Sequence, residues 1–287
     1  MIGLFDSGHG GLTVFRELVD RFPTIRFAYL GDHANAPYGN RPSDDVISLT
    51  IAGTEQLFRL GCRLVILACN TATAVACRKM QQEWLRGSSW RGHNVLGIVA
   101  PTVEVATQTP WAAQTPQYPQ KFNTDTIAVF ATSRTVGSGV YPEEILKRCP
   151  SVRVVQQACP HLVGSIESGA ENVELEALVG EYVGDLMAQL DGSNPDWAIL
   201  GCTHFPLIQD LFRARLPDTV RLLAQPDAVA HSLEDYLERH PDYARPPETP
   251  TTPIFLTTGD AERISTTLAP FWSESITFQE AATFDFV

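Results

Sequence analysis

The chain has 287 residues and a net charge of −12 at pH 7, and this acidic balance argues against a nucleic-acid surface, which needs a basic patch. No stretch approaches the roughly 18 uninterrupted apolar residues of a membrane span. The six cysteines form no C-x-x-C pair, which argues against a zinc ribbon. The first residues, MIGLFDSGHGG, do not resemble a secretory leader. We therefore expect free thiols in the cytoplasm.

Short apolar runs alternate with helical patterns, which predicts an α/β fold with mostly parallel sheets. The first third contains predicted strands at 2–5, 25–30 and 63–68 and predicted helices at 11–22, 43–60 and 71–83. The middle continues with strands at 95–99, 126–131, 152–156 and 196–200 and helices at 101–107, 141–148, 160–168 and 173–190. The last part adds strands at 220–223 and 254–258 and helices at 227–239 and 260–268. Ser43 is the expected N-cap of the helix at 43–60.

Three stretches without periodicity are predicted to be loops on the surface. They are RGSSWRGH at 86–93, the Pro/Gln-rich TPWAAQTPQYPQ at 109–120, and HPDYARPPETPTTP at 240–253.

Four polar clusters each follow a predicted strand directly. Because ligands of α/β proteins bind beyond the carboxyl ends of parallel strands, we expect these clusters to form one or two shared sites. Taken singly, Asp6 is equally suited to cap the first helix, and Tyr38-Gly39 is typical of a turn. The clusters are FDSGHGG at 5–11, GDHANAPYG at 31–39, ACNTAT at 68–73 and GCTHFP at 201–206.

One short phrase occurs twice, as ILACNT around Cys69 and as ILGCTH around Cys202. Each cysteine ends a strand and leads into a predicted helix, where the helix dipole and free N–H groups are expected to lower the pKa of a thiol. The repeated context favours a reactive role for these two cysteines. The other four cysteines are interpreted as small buried hydrophobic residues.

Several polar residues beside the two cysteines have both a structural and a functional interpretation. His204 is a suitable proton partner for Cys202, and a structural histidine is the alternative. Glu167 lies at or near a helix end, where a solvated surface carboxylate is the alternative. Asn70, Thr71 and Thr203 are types that cap helices, and a capping residue can also bind a ligand.

The chain resembles the glutamate racemases of the cofactor-independent aspartate/glutamate racemase superfamily in IGLFDSGHGGLTV, YLGDHANAPYGNR, ILACNTATA, ILGCTHFPL and FLTTGD. Weaker support comes from AVFATSRTVGSGVY and ACPHLVGSIESG. The resemblance implies two facing three-layer α/β lobes with the active site in the cleft between them. The first lobe would comprise 1–98 plus 226–287, and the second 99–225.

The resemblance also implies which residues act. Cys69 and Cys202 would be the catalytic bases, with Asp6 assisting Cys69, and with Glu167 and His204 assisting Cys202. Independently of the family, two bases suit racemisation, because one removes the Cα proton on one face while the other returns a proton on the opposite face. The implied substrate-binding residues are Asp6, Ser7, Tyr38, Gly39, Asn70, Thr71, Thr203 and His204.

Further expectations from the resemblance concern the cell and the partners of the protein. It implies L- or D-glutamate as the small-molecule substrate, no metal or cofactor, a homodimer, and a cytoplasmic supply of D-glutamate for peptidoglycan, and hence for cell wall and cell shape.

The chain departs from the family pattern at three positions. His9 stands where an aliphatic residue is usual, Asn35 where an arginine is common, and His161 where a leucine is frequent. The loops at 84–93 and 109–125 look longer than usual.

Other functions remain open at this point. The nearest is an aspartate racemase or a related racemase of the superfamily, and His9 and Asn35 bear on this choice because they lie in or beside the site motifs. A cysteine hydrolase or transferase would use Cys202 with His204 and give Cys69 no role. A regulatory protein that restrains a DNA-modifying enzyme and a redox pair of the two cysteines are the remaining alternatives.

Overall fold

The computed structural model describes residues 1–109, 126–243, 252–268 and 276–281. The predicted loop at 109–120 and the longer-than-usual stretch at 109–125 lie outside these ranges except for residue 109. Most of the predicted loop at 240–253 also lies outside them.

In the residues that the structure describes, ten strands form two sheets in which every strand pair is parallel, which confirms the predicted α/β fold. The six-stranded sheet has the order β10-β9-β2-β1-β3-β4, and the four-stranded sheet has the order β6-β5-β7-β8. The strands are β1 Ile2–Asp6, β2 Phe27–Gly31, β3 Leu64–Leu67, β4 Asn94–Gly97, β5 Thr126–Ala131, β6 Arg153–Ala158, β7 Trp197–Gly201, β8 Arg221–Leu223, β9 Ile254–Thr257 and β10 Gln279–Glu280.

Helices connect the strands. Between α3 and α4 the chain stays helical and takes π-helical form at Thr73–Cys77 and Met80–Trp84. The helices are α1 Leu12–Arg21, α2 Ser43–Arg59, α3 Asn70–Ala72, α4 Leu85–Gly87, α5 Val99–Thr107, α6 Ser133–Ser138, α7 Val140–Arg148, α8 Leu162–Glu167, α9 Asn172–Ala188, α10 Gln209–Arg215, α11 Gln225–Arg239 and α12 Ala261–Leu268.

The predicted strands and helices are confirmed to within a few residues, with three additions and one error. Helices α6 and α10 and the short strand β10 were not predicted. Ser43 is not the N-cap of α2, because Pro42 holds that position in extended geometry and Ser43 is the first helical residue. The cap therefore lies one residue earlier than the residue type alone indicates.

Each sheet is buried between two layers of helices, as the three-layer prediction requires. On the six-stranded sheet, α1 and α11 pack against one face and α2 with the helix after α3 packs against the other. On the four-stranded sheet, α8, α9 and α10 cover one face and α5 and α7 cover the other. The strands at the sheet centres are buried along their length, which explains why they read as unbroken apolar runs. Within the described residues, no helix combines the length and apolar character needed to cross a membrane.

We predict opposite effects of alanine at two helix glycines. A methyl group at Gly53 in α2 would overlap the ring of Phe5, whereas the space around Gly184 in α9 is open. Gly53→Ala should lower the free energy of unfolding by about 1–3 kcal/mol. Gly184→Ala should raise it by up to about 1 kcal/mol through helix propensity. Urea unfolding of both variants measures the difference, and equal stability of the two would contradict the tight packing of α2 on β1.

Candidate functional site

The carboxyl ends of the central strands of both sheets meet around one cavity of about 190 Å³. Cys69 follows β3 of the six-stranded sheet, and Cys202 follows β7 of the four-stranded sheet. All the predicted site residues except Asp6 line this cavity, so the four strand-end clusters come together around it. The lining residues are Ser7, Pro37, Tyr38, Gly39, Asn40, Cys69, Asn70, Thr71, Thr132, Pro160, His161, Val163, Gly164, Glu167, Cys202, Thr203 and His204.

Cys69 is itself the N-cap of the helix that follows it. Its Sγ accepts a hydrogen bond from the backbone N–H of Ala72 at 3.4 Å and donates one to Ser7 Oγ at 3.3 Å. Burial, and next the charge of Asp6, nevertheless raise the pKa of the Cys69 thiol to about 12. The expected lowering of this pKa is therefore wrong for Cys69, because removal from water outweighs the hydrogen bonds at the helix start.

Asp6 lies behind the cavity wall with its side chain fully buried. Its Oδ2 accepts a hydrogen bond from the backbone N–H of Gly8 at 3.0 Å, and its Oδ1 accepts one from the Thr203 hydroxyl at 3.4 Å. Burial raises the pKa of Asp6, while the charge of His204 and nearby backbone N–H groups oppose this rise. The N-cap of α1 is Gly11, without a side-chain bond, so Asp6 is not a helix cap. Instead it joins the polar ends of the two sheets.

Cys202, His204 and Glu167 form a chain of contacts along the second side of the cavity. Nδ1 of His204 lies 3.8 Å from Cys202 Sγ, and Nε2 of His204 lies 2.9 Å from Glu167 Oε1. Burial acts to lower the pKa of His204, but hydrogen bonds with Cys202 and Glu167 outweigh it and raise the pKa to about 10. Burial likewise acts to raise the pKa of Glu167, and the bond to His204 outweighs it and lowers that pKa. The two side chains are therefore a charged pair at neutral pH, rather than a lone histidine and a solvated carboxylate.

A buried hydrogen-bond network holds the side chain of Asn70, the first residue of α3. Gln225, the first residue of α11, donates from Nε2 to Asn70 Oδ1 and to Thr102 Oγ1, both at 3.0 Å. Asn70 Nδ2 donates back to Gln225 Oε1, and Tyr141 OH donates to Asn70 Oδ1 at 2.8 Å. Asn70 is thus oriented by Gln225 at the start of α11, which packs on the six-stranded sheet, and by Tyr141 in α7, which packs on the four-stranded sheet.

Tyr38 is fixed through Asp32. The Tyr38 hydroxyl donates to Asp32 Oδ2 at 2.5 Å, and Asp32 Oδ1 accepts from Asn35 Nδ2 at 3.0 Å and from Thr258 Oγ1 at 2.6 Å. The carboxylate joins the segment before Gly39 to the end of β9. Asn35 therefore supports the loop beside the cavity through Asp32.

Sequence reasoning missed several residues of the site. Thr132 follows β5 directly, lines the cavity, and exchanges a hydrogen bond with Thr71 Oγ1 at 3.0 Å. The signal was present, because Thr132 stands after a predicted strand like the four clusters that were recognised. His161 also lines the cavity. Gln225 and Tyr141 had no signal, since their roles depend on contacts across the fold.

Three side chains in this region could hold a cation. The potential ligand atoms of His9, Glu167 and His204 all lie within 4.8 Å of one another. His9 Nδ1 is 3.9 Å from Glu167 Oε1, and the His9 ring meets the His204 ring edge to face at 5.1 Å between centroids. Burial, and next the charge of His204, lower the pKa of His9 to about 3, so its imidazole is neutral at pH 7.

Relatives that are 41–46% identical to this chain, over 97–98% of its length, are glutamate racemases. The glutamate racemase of Phenylobacterium zucineum strain HLK1 is 46% identical over 284 residues, covering 98% of this chain and 99% of that protein. The glutamate racemase of Caulobacter sp. strain K31 gives the same identity and coverage, 46%, 98% and 99%. Among solved structures, glutamate racemase isoform RacE1 from Bacillus anthracis has a TM-score of 0.80 at 26% identity, covering 97% of this chain and 96% of that one. No protein-family profile matches the chain.

We predict that Glu167→Gln destabilises the protein in a pH-dependent way. Because the pKa of His204 is raised from 6.5 to about 10, protonation of this residue stabilises the fold. The contribution is complete at pH values below 6.5 and is lost as the pH rises towards about 10. The lowered pKa of Glu167 stabilises the fold above its ordinary value of 4.5. The loss in free energy of unfolding, about 1–3 kcal/mol, should therefore be largest between these two ordinary values and shrink in alkali. Unfolding at several pH values measures it, with Glu171→Gln on the exposed surface as control. A loss that does not vary with pH would contradict the charged pair.

We predict that Gln225→Leu lowers the free energy of unfolding by about 1–3 kcal/mol, because the buried side chains of Asn70 and Tyr141 lose their hydrogen bonds with Gln225. Gln189→Leu at an exposed position should change it by less than about 0.5 kcal/mol. A double-mutant cycle with Tyr141→Phe should give a coupling energy of at least about 0.5 kcal/mol. Additive effects would show that the network does not act as a unit.

Proposed function

The chain belongs to the glutamate racemase family, and on this premise we propose that it interconverts L- and D-glutamate by moving the Cα proton between two cysteines without a cofactor. Family membership makes it an amino-acid racemase, an isomerase. One observation carries the proposed mechanism. Cys69 and Cys202 come from different sheets and line the same cavity, so a substrate between them has a thiol on each side.

In the proposed reaction, one cysteine acts as a thiolate and removes the proton from Cα, and the electron pair of the C–H bond stays on the substrate as a carbanion. The other cysteine, as a thiol, gives its proton to the opposite face. One thiolate becomes a thiol and one thiol becomes a thiolate, so protons and charge balance. The reverse direction exchanges the two roles, which is why both enantiomers serve as substrates.

Neutral donors suit the stabilisation of the carbanion and the binding of its carboxylate groups. Among the described residues, those that line the cavity include the hydroxyl-bearing Ser7, Thr71 and Thr203 and no lysine or arginine. Tyr38-Gly39, Asn70 and His204 complete the proposed binding set. We assign recognition of glutamate to these polar groups rather than to an arginine clamp.

The two cysteines receive unequal support in this proposal. The charge of Asp6 increases the proton affinity of Cys69, which strengthens the thiolate as a base once it forms. His204, held by Glu167, lies 3.8 Å from Cys202 Sγ and can exchange a proton with that thiol. One thiol therefore has a buried carboxylate as its partner, and the other has an imidazole.

The cellular role is proposed on the same premise. We infer that the enzyme supplies D-glutamate for peptidoglycan in the cytoplasm, and so contributes to cell wall formation and cell shape, and that it forms a homodimer. We also propose the lobe division at 98/99 and 225/226. Its support is that α5 packs with the four-stranded sheet, whereas α11 packs with the six-stranded sheet.

A second candidate has one observation in its favour. The chain of contacts from Cys202 through His204 to Glu167 would also suit a cysteine hydrolase, in which a histidine activates a thiol and a third group orients the histidine. Such an enzyme would need no second thiol, yet Cys69 lines the same cavity. Family membership and the second thiol both favour the racemase.

We predict that Cys69→Ser and Cys202→Ser each lower the rate of glutamate racemisation by roughly 10²–10⁴-fold, because each removes a proton-transfer group. The measurement is incubation with L- or D-glutamate in D2O, following optical rotation and the Cα proton by NMR. Because one thiol remains, each variant should still exchange the Cα proton of one enantiomer without inverting it. Cys149→Ala should keep the wild-type rate, since Cys149 packs in the core cluster with Val152 and is not among the cavity-lining residues.

Full racemisation by either serine variant would refute the two-base assignment. Hydrolytic turnover that survives Cys69→Ser and is lost in Cys202→Ser would instead favour the hydrolase. No exchange by the wild-type protein with either enantiomer of glutamate, together with exchange of aspartate, would move the assignment to an aspartate racemase.

A further inference from the structure

His9, Glu167 and His204 form a compact group with the donor atoms of a metal site. His9 lies in the loop after β1, Glu167 ends α8, and His204 follows β7, so three separate segments bring their side chains to one point. His9 and His204 are buried, and the Glu167 side chain is 22% exposed. The family resemblance implies no metal, and the group has no signal in the sequence because His9 and Glu167 are 158 residues apart (167 − 9).

We propose that this group is an inhibitory site for Zn²⁺ or a similar divalent transition metal, which binds His9, Glu167 and His204. Two histidines and one carboxylate are a donor set that binds zinc with a fourth position open. The inhibitory effect rests on the function proposed above, in which His204 exchanges a proton with Cys202. Metal binding itself does not depend on that function.

The distances fit a tetrahedral ion after a small adjustment. Metal–ligand bonds of about 2.0–2.2 Å place two ligand atoms of a tetrahedron about 3.4 Å apart. The separation of His204 Nε2 from Glu167 Oε1 is 2.9 Å, and that of His9 Nδ1 from Glu167 Oε1 is 3.9 Å. These two values lie on either side of the required one. The ligand atoms of His9 and His204 lie within 4.8 Å of each other. Side-chain movements of about 1.5 Å or less would therefore complete the three-ligand arrangement.

The ion would act on the very contact that serves proton transfer. On binding, the ion would displace the proton of His204 Nε2 to solvent and would replace the hydrogen bond between Nε2 and Glu167 Oε1 with two metal–ligand bonds. Nδ1 of His204 would still face Cys202. The histidine would then be held by the metal and could no longer gain and lose a proton at Nε2. Because Glu167 and His204 line the cavity and His9 is not among the lining residues, the ion would enter from the cleft and meet His9 last.

Cysteine thiolates are the competing explanation for any effect of zinc, since Cys69 and Cys202 line the same cavity. Cobalt(II) separates the two cases, because thiolate ligation gives an intense near-ultraviolet charge-transfer absorption that nitrogen and oxygen ligands do not give. His9 also distinguishes them, because its substitution removes a metal ligand and leaves both thiols in place. His9 is therefore the residue whose substitution tests the proposed metal site without altering either cysteine.

The experiment titrates the purified protein with Co²⁺, followed by visible and near-ultraviolet absorption, and with Zn²⁺, followed by racemisation. We expect wild-type protein to bind Co²⁺ without thiolate charge transfer, and Zn²⁺ to inhibit reversibly on addition of a chelator. His9→Leu should weaken Co²⁺ binding and Zn²⁺ inhibition by roughly tenfold or more. His231→Ala removes the exposed histidine 3.1 Å from Asp227 and should leave both unchanged.

Two results would overturn the proposal. Equal Co²⁺ affinity of His9→Leu and the wild type would show that His9 is not a ligand, and charge-transfer bands in the wild type would place the metal on the cysteines. His9→Gln, which keeps a polar side chain, repeats the test if the leucine variant fails to fold. Binding that depends on His9 without any loss of racemisation would support the site but overturn its inhibitory effect and the role of His204 in turnover. Absence of racemisation in the metal-free wild type would refute the proposed function alone.

Discussion

Buried polar side chains between the two sheets must find hydrogen-bond partners, because an unpaired polar group away from water costs about 1–3 kcal/mol. Here the partners come from opposite sides of the cleft. Thr203, beyond the four-stranded sheet, donates to Asp6 at the end of β1. Tyr141 in α7 donates to Asn70 beyond β3. The placement of the two sheets and the shape of the cavity depend on these shared bonds, so the elements that build the site also join the two halves of the fold.

The same constraint gives the two thiols different surroundings. Cys69 caps a helix, contacts Ser7, and lies in the field of a buried carboxylate, all of which follow from its position beside β1. Cys202 meets an imidazole whose opposite nitrogen is paired with Glu167. Negative charge near Cys69 favours its protonated form, and the proposed proton partner of Cys202 is the imidazole of His204. The two cysteines therefore have unequal neighbours, although their local sequences are similar.

The sequence predicted the parts of the fold that depend on local pattern. Strands such as β1 and β3 are buried on both faces, and their unbroken apolar runs were sufficient to find them. The position of the polar clusters after predicted strands then indicated that they would lie together, and they line one cavity. The role of Gln225 in the hydrogen-bond network could not be predicted, because an isolated glutamine at the start of a helix belongs to no periodic pattern. The raised pKa of Cys69 was missed for a related reason: burial belongs to the fold, while the helix start is visible in the sequence.

His9 shows how a departure from a pattern gains meaning once the structure is known. A buried imidazole in place of an aliphatic side chain costs desolvation, so it persists only where neighbours compensate. Its neighbours are Glu167 and His204, the pair that serves Cys202 in the proposed mechanism. A carboxylate close enough to hold an imidazole for proton transfer is also close enough to share a cation with it, and a second imidazole completes the donor set. These three side chains can bind either a proton or a metal ion. Whether a metal ion binds must then depend on its access through the cleft.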